Sequence, residues 1–142
     1  MKHAFLAACA AMALGGCFHG EEATAENRAI AYCEELVQFF VSSPSTYQRA
    51  DAHVLETKGS LRPVGPRHPG ALDVSLSFDA ANAFGTPVRN RAKCRFALSP
   101  YGSLDLTAMA VEDKAAAESA MENFKMIVSL KELDHRHKQE RR

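Results

Sequence analysis

Leu72-Asp73-Val74-Ser75-Leu76-Ser77-Phe78-Asp79 changes from apolar to polar at every step. A strand sends successive side chains to opposite faces, so this stretch predicts a strand with Leu72, Val74, Leu76 and Phe78 on its dry side. Downstream, Asn82-Ala83-Phe84-Gly85-Thr86-Pro87 supplies turn formers. Val88, Ala92, Cys94, Phe96 and Leu98 then share one parity, against Arg89, Arg91, Lys93 and Arg95 on the other, with Asn90 the one polar residue of the dry set. Ser99-Pro100-Tyr101-Gly102 fits a tight turn, with Pro at its second position and Gly at its fourth. Leu104, Leu106, Ala108 and Ala110 follow on a single parity, so residues 72–110 predict an antiparallel meander.

On both sides of the meander the apolar period lengthens to three and four residues. Ile30, Cys33, Leu36, Val37, Phe40 and Val41 form one helical stripe, with Glu26, Arg28, Glu34, Glu35 and Gln38 facing water. Ser42-Ser43-Pro44 closes that helix, because proline lacks an amide donor and disfavours helical geometry in the residue before it. Residues 49–57 offer a further strand with poor alternation, which makes the sheet three or four stranded. Residues 58–70 hold Gly59, Pro63, Gly65, Pro66, Pro69 and Gly70, a density that predicts a surface loop. After the meander, Asp113 is a candidate helix cap and Ala115, Ala116 and Ala117 are strong helix formers. Ala120, Met121, Phe124, Ile127 and Val128 give the buried stripe, extended by Leu130 and Leu133. Residues 135–142 read as a basic polar tail. The fold class is therefore α+β: an N-terminal helix, a meander sheet with the helix on its dry face, and a C-terminal helix.

The chain of 142 residues is 46% hydrophobic and 24% charged, enough apolar material for one small domain and too much for a disordered chain. Its 17 Lys and Arg are matched by 17 Asp and Glu, so it lacks the basic surplus of a nucleic-acid binder. Nucleic acid is not an expected partner.

The beginning of the chain carries an address. Met1-Lys2-His3 gives a short basic start, and an uncharged run from Ala4 to Leu14 follows, too short for the roughly 20 helical residues that cross a bilayer. This pattern is that of an export signal. Ala11-Met12-Ala13 offers one small-x-small ending, and Leu14-Gly15-Gly16-Cys17 offers another. The second resembles the lipobox of bacterial lipoproteins, in which a leucine three residues before a cysteine is followed by small residues and the cysteine becomes the lipid-bearing first residue. Cysteine arithmetic favours it, because loss of residues 1–16 removes Cys9 and lipidation of Cys17 leaves Cys33 and Cys94 as an even pair. The alternative is a leftover thiol at Cys17. The resemblance implies a diacylglyceryl thioether and an amide-linked chain such as palmitate. Phe18 stands where Asp would favour inner-membrane retention, so the resemblance implies an outer-membrane protein facing the periplasm.

Cys33, Ser43-Pro44-Ser45-Thr46, Asn82, Phe84, Gly85, Arg89 and Cys94 together resemble a group of small exported bacterial domains of unassigned function, over about residues 30–98. In that pattern a helix carrying a cysteine ends in Ser-Pro-Ser-Thr, and a later strand pair reads Asn-x-Phe-Gly, basic residues, then Cys-x-Phe. The group brings no activity with it, so what it implies is architectural.

Cys33 and Cys94 both point to the core of an exported chain, which predicts a disulfide between them. Closing a loop of about 60 residues stabilises by roughly 4 kcal/mol on the chain-entropy account. The alternative is two buried thiols packed as small apolar groups. A thiol enzyme would need a histidine in reach, and neither His53 nor His68 sits in a supporting motif. No nucleophile elbow, phosphate-binding loop or dinucleotide glycine pattern is present, so no catalytic residue, cofactor or small-molecule substrate is expected. His135 and His137 are two apart and diverge on a helix by about 200 degrees, so no metal site is expected either. The basic tail reads as a helix end complementing the helix dipole, or as a contact for anionic lipid or an acidic partner.

Arg89, Arg91, Lys93 and Arg95 form a candidate basic contact surface, while Asp73 and Asp79 on the neighbouring strand are placed to pair with some of them. The organisation expected is a signal at 1–16, a lipidated tether at 17–23, one α+β domain at 24–134 and the tail at 135–142. The expected function is a non-catalytic, lipid-anchored envelope protein, held to the membrane through Cys17 and contacting another envelope protein through its sheet or C-terminal helix. The other reading is an inhibitor or immunity-type protein that blocks a secreted enzyme with an exposed loop such as residues 58–70.

Overall fold

A computed structural model describes residues 24–58, 70–112 and 114–142 of the chain. The expected export signal, the expected lipid site at Cys17, the larger part of the predicted Pro-rich loop with His68, and the candidate cap Asp113 lie outside the described residues.

Helix α1, Ala25–Val37, starts at Thr24, whose Oγ1 accepts the Asn27 amide at 3.2 Å and so satisfies one of the free donors of the first turn. Ala29, Tyr32, Cys33, Leu36 and Val37 are its buried residues. The helix ends earlier than the stripe predicts. Phe39 and Phe40 donate back to Leu36 and Val37 in tightening turns, and Phe40 leaves the helix to lie edge-on against Phe124.

A 3-10 turn at Pro44–Thr46 then leads to five antiparallel strands in chain order: β1 at Gln48–Lys58, β2 at Gly70–Ala81, β3 at Pro87–Leu98, β4 at Leu104–Val111 and β5 at Lys114–Ala115. The Ser-Pro-Ser-Thr segment has a structural task. Thr46 Oγ1 donates to Ser43 O at 2.7 Å and accepts the Ala81 amide at 2.8 Å, tying the end of the helix connection to the end of β2. Asn82 builds the β2–β3 hairpin by accepting the amides of Phe84 and Thr86 on Oδ1, at 2.9 and 3.0 Å. Gly85 follows at φ +80°, a conformation glycine adopts without strain.

Two expectations are corrected here. Among the described residues the sheet has five strands rather than three or four, because Lys114 and Ala115 pair with Val111 and Ala110 where the alanines predict the start of a helix. The single parity of Leu104, Leu106, Ala108 and Ala110 also breaks. Arg95 pairs with Ala108 but Phe96 pairs with Leu106, so Thr107 is the extra residue of a β-bulge. Thr107 Oγ1 donates to Arg95 O at 3.0 Å, and beyond it Met109 rather than Ala108 turns into the core.

Helix α2, Glu118–Glu140, packs along β4, and α1 packs across β2 and β3. The helix runs on through residues 135–140, where the charged composition predicts a tail. Its buried residues are Phe124, Val128 and Glu132, spaced by four. Leu130 and Leu133, predicted to extend the buried stripe, are exposed. The core lies between the two helices and one face of the sheet, centred on Leu36, Leu72, Val74, Leu76, Phe78, Phe96, Leu104 and Val128.

Candidate interaction surface

The interior of the domain is closed by a disulfide and by a buried carboxylate. Cys33 on α1 and Cys94 on the dry face of β3 form a disulfide with their Cα atoms 5.9 Å apart, as the shared inward direction of the two residues predicts. The bond ties helix to sheet across 61 positions of sequence and leaves neither sulfur as a nucleophile. Glu132, 3% exposed, is the buried charged residue among the described residues. Its Oε1 accepts from Arg28 Nε at 2.9 Å and Tyr32 Oη at 2.8 Å, and its Oε2 accepts from the Leu104 amide at 3.1 Å and an Arg28 Nη at 3.4 Å. The same Arg28 Nη donates to Gly102 O at 2.6 Å. Burial pushes the Tyr32 hydroxyl pKa upward, and the hydrogen bond to Glu132 adds to the shift.

A cleft of about 480 Å³ opens beside Glu132, bounded by Arg28, Tyr101, Ser103, His135 and Arg136. A carboxylate has about four lone-pair directions, and donors from α1 and β4 occupy four here. Glu132 is therefore held as a tie between three elements, without an open lone pair to act as a base on a molecule in the cleft.

The opposite face of the sheet is covered by no other described element. Register sets its charge pattern: Arg89 lies opposite Asp79, Arg91 opposite Ser77, Lys93 opposite Ser75 and Arg95 opposite Asp73. The outer pairs are ionic. Arg89 holds Asp79 through two hydrogen bonds of 2.5 and 2.9 Å, and Arg95 Nε lies 3.6 Å from Asp73 Oδ1. The hydrogen bond from Arg89 holds the Asp79 carboxyl below the ordinary carboxylate range. In the register, Ser77 and Ser75 stand opposite Arg91 and Lys93 between those two pairs. Arg91 is fixed through its backbone, whose amide donates to Glu112 Oε1.

Beside this basic row lies a shallow depression of about 500 Å³ with an apolar floor of Ala108, Ala110 and Ala115, an edge at Leu55, and Asp73, Ser75, Lys93 and Arg95 around it. Leu55 is 68% exposed, on the open side of β1. Small residues on β4 and β5 make the hollow, and the bulge at Thr107 turns Ala108 and Ala110 outward to form it. The four basic residues named from sequence are thus brought to one face.

His53 sits on this open face too, 2.6 Å from Asp51, across the sheet from the disulfide. His135 and His137 lie on α2 and project to different sides, as their spacing requires. Among the described residues no three His, Cys, Asp or Glu side chains gather in a metal-binding group, and no helix is long and apolar enough to cross a membrane.

Sequence reasoning did not find Glu132, Arg28 and Tyr32 as a unit, nor Leu55. A signal for the first existed: Glu132 stands four residues after Val128 and eight after Phe124, on the inward stripe of α2. Leu55 carried none, since it shares the outward parity of Asp51 and His53, where a large apolar residue is not expected. No family model, curated protein or solved structure matches the chain.

Proposed function

We propose that this chain is a non-catalytic envelope lipoprotein, anchored by lipid on Cys17 and facing the periplasm from the outer membrane, which holds another envelope protein against the open face of its sheet. The Cys33–Cys94 disulfide supports the exported location, because such bonds persist in oxidising compartments. It also supports the assignment of Cys17 to lipid, since it uses the other two cysteines that follow the export signal. The buried polar groups are engaged in holding the scaffold, which favours binding over catalysis.

The observation that carries the binding role is the apolar depression of Leu55, Ala108, Ala110 and Ala115, rimmed by Lys93 and Arg95, with Arg91 next along the same face of β3. Apolar centres with a charged rim are the anatomy of protein contact surfaces. A photoreactive residue at Leu55, in the full chain and in intact envelopes, should give one discrete protein adduct. Adding Arg91→Glu should cut its yield about tenfold, the effect of ~1.4 kcal/mol in affinity. An adduct indifferent to Arg91→Glu, or none, would count against this face as the contact surface.

A further inference from the structure

The fold buries one side of α2 and leaves a second apolar stripe on the other. Met126, Leu130 and Leu133 are 62%, 60% and 42% exposed, although each is large and apolar. Together with Ser119, Asn123 and His137 they are spaced four, three, four, three and four residues apart, within about 80 degrees of one another on the helix. That is the a and d spacing of a coiled-coil seam, apolar at its centre and polar toward its two ends. We propose that this stripe pairs with the same stripe of a second copy of the chain, antiparallel, about a two-fold axis passing by Ser129.

Charge selects both the partner and the direction. In the antiparallel register that stacks Met126 on Leu130 of the second copy, and Leu130 on its Met126, the flanking positions bring Glu122 against Arg136 of the second copy, and the two-fold axis repeats the pair. Ser129 then meets its own counterpart, a small residue that lets the helices approach. Leu133 lies over Asn123, and Ser119 over His137. A parallel arrangement brings Glu122 to Ile127 and Ser129 to Asp134, and so forms no ion pair. Glu122 already holds Lys125 of its own helix at 2.7 Å, an exposed pair that contributes little and can be shared.

The test uses the full chain with Ser129→Cys, oxidised in intact envelopes, with Lys125→Cys as a control outside the seam. The expected result is a disulfide-linked homodimer well above both the control and the parent chain. Arg136→Glu places like charges together and should lower that yield about tenfold, and adding Glu122→Arg should restore it. Three results would overturn the inference: no dimer above control, a dimer from Met126→Cys but not from Ser129→Cys, or Ser129→Cys linking to a different protein instead of a second copy. Failure of Glu122→Arg to rescue Arg136→Glu would also remove the charge argument on which the register rests.

Discussion

Arg28 on α1 and Glu132 on α2 meet at 2.9 Å across 104 positions of sequence, and the pair is more deeply buried than Lys131–Glu35, which also joins the two helices. Both side chains are largely shielded from water, and the Glu132 carboxylate also caps the start of β4 through the Leu104 amide. Packing alone does not fix how α2 lies on the sheet, since an apolar stripe tolerates sliding and rotation. A carboxylate that needs Arg28, Tyr32 and Leu104 at once permits one position.

Removal of that carboxylate takes the ion-pair partner from Arg28 and the acceptor from the Leu104 amide. Glu132→Ala should therefore lower the unfolding free energy by about 3 to 5 kcal/mol, the cost of breaking a buried pair from one side. The double change Arg28→Met with Glu132→Leu should lose less, because no buried charge is stranded. Urea unfolding followed by circular dichroism measures both, and a double variant weaker than Glu132→Ala would contradict the account.

The disulfide closes a separation of 61 residues, and on the chain-entropy account it contributes about 4 kcal/mol. Replacing Cys33 and Cys94 together by Ala should move the urea midpoint down by about 2 to 3 M for a domain of this size. Alkylation before reduction should leave both cysteines of the parent chain unlabelled, and labelling of both would show that they are free.

The bulge at Thr107 makes a prediction about parity. Met109→Asp places an unpaired charge in the core and should destabilise by about 3 kcal/mol or more, whereas Ala108→Asp on the open face should stay within about 0.5 kcal/mol. A regular strand would reverse that order. Thermal unfolding of the two variants decides between them.

Burial, together with the Glu132 hydrogen bond, raises the Tyr32 hydroxyl pKa above the ordinary value of 10.0. The unfolded chain gives up this proton first, so the stabilising contribution is complete below about pH 10 and declines as pH rises past it. Tyr32→Phe should make the fall of unfolding free energy above pH 10 shallower by up to about 1.4 kcal/mol per pH unit. Equal slopes in the two proteins would show that the hydroxyl titrates alike when folded and unfolded.

The meander and the disulfide were legible because each rests on a single local rule. Leu72 to Asp79 alternates without a break, and Cys33 and Cys94 each fall on an inward position of their own element. The errors arise where one residue changes the count or carries charge inward. Thr107 adds a residue that no alternation score anticipates, and it exchanges the roles of Ala108 and Met109. Glu132 looks like a surface charge until Arg28 and Tyr32 arrive from the far end of the chain, and Leu130 and Leu133 look like core until the helix turns them out. Lys114 and Ala115 have helix-forming neighbours, yet pairing with Val111 and Ala110 outweighs that local preference. The basic face was legible as a set of residues, while the hollow beside it depends on the bulge and on Leu55 of β1, which come together only through pairing.

The mass of the N-terminal peptide of the chain recovered from membranes tests the proposed location and anchoring together. The account expects a chain that starts at Cys17 and carries a diacylglyceryl thioether and an amide-linked acyl group. A chain that keeps Met1, or one with an unmodified thiol at Cys17, would contradict it.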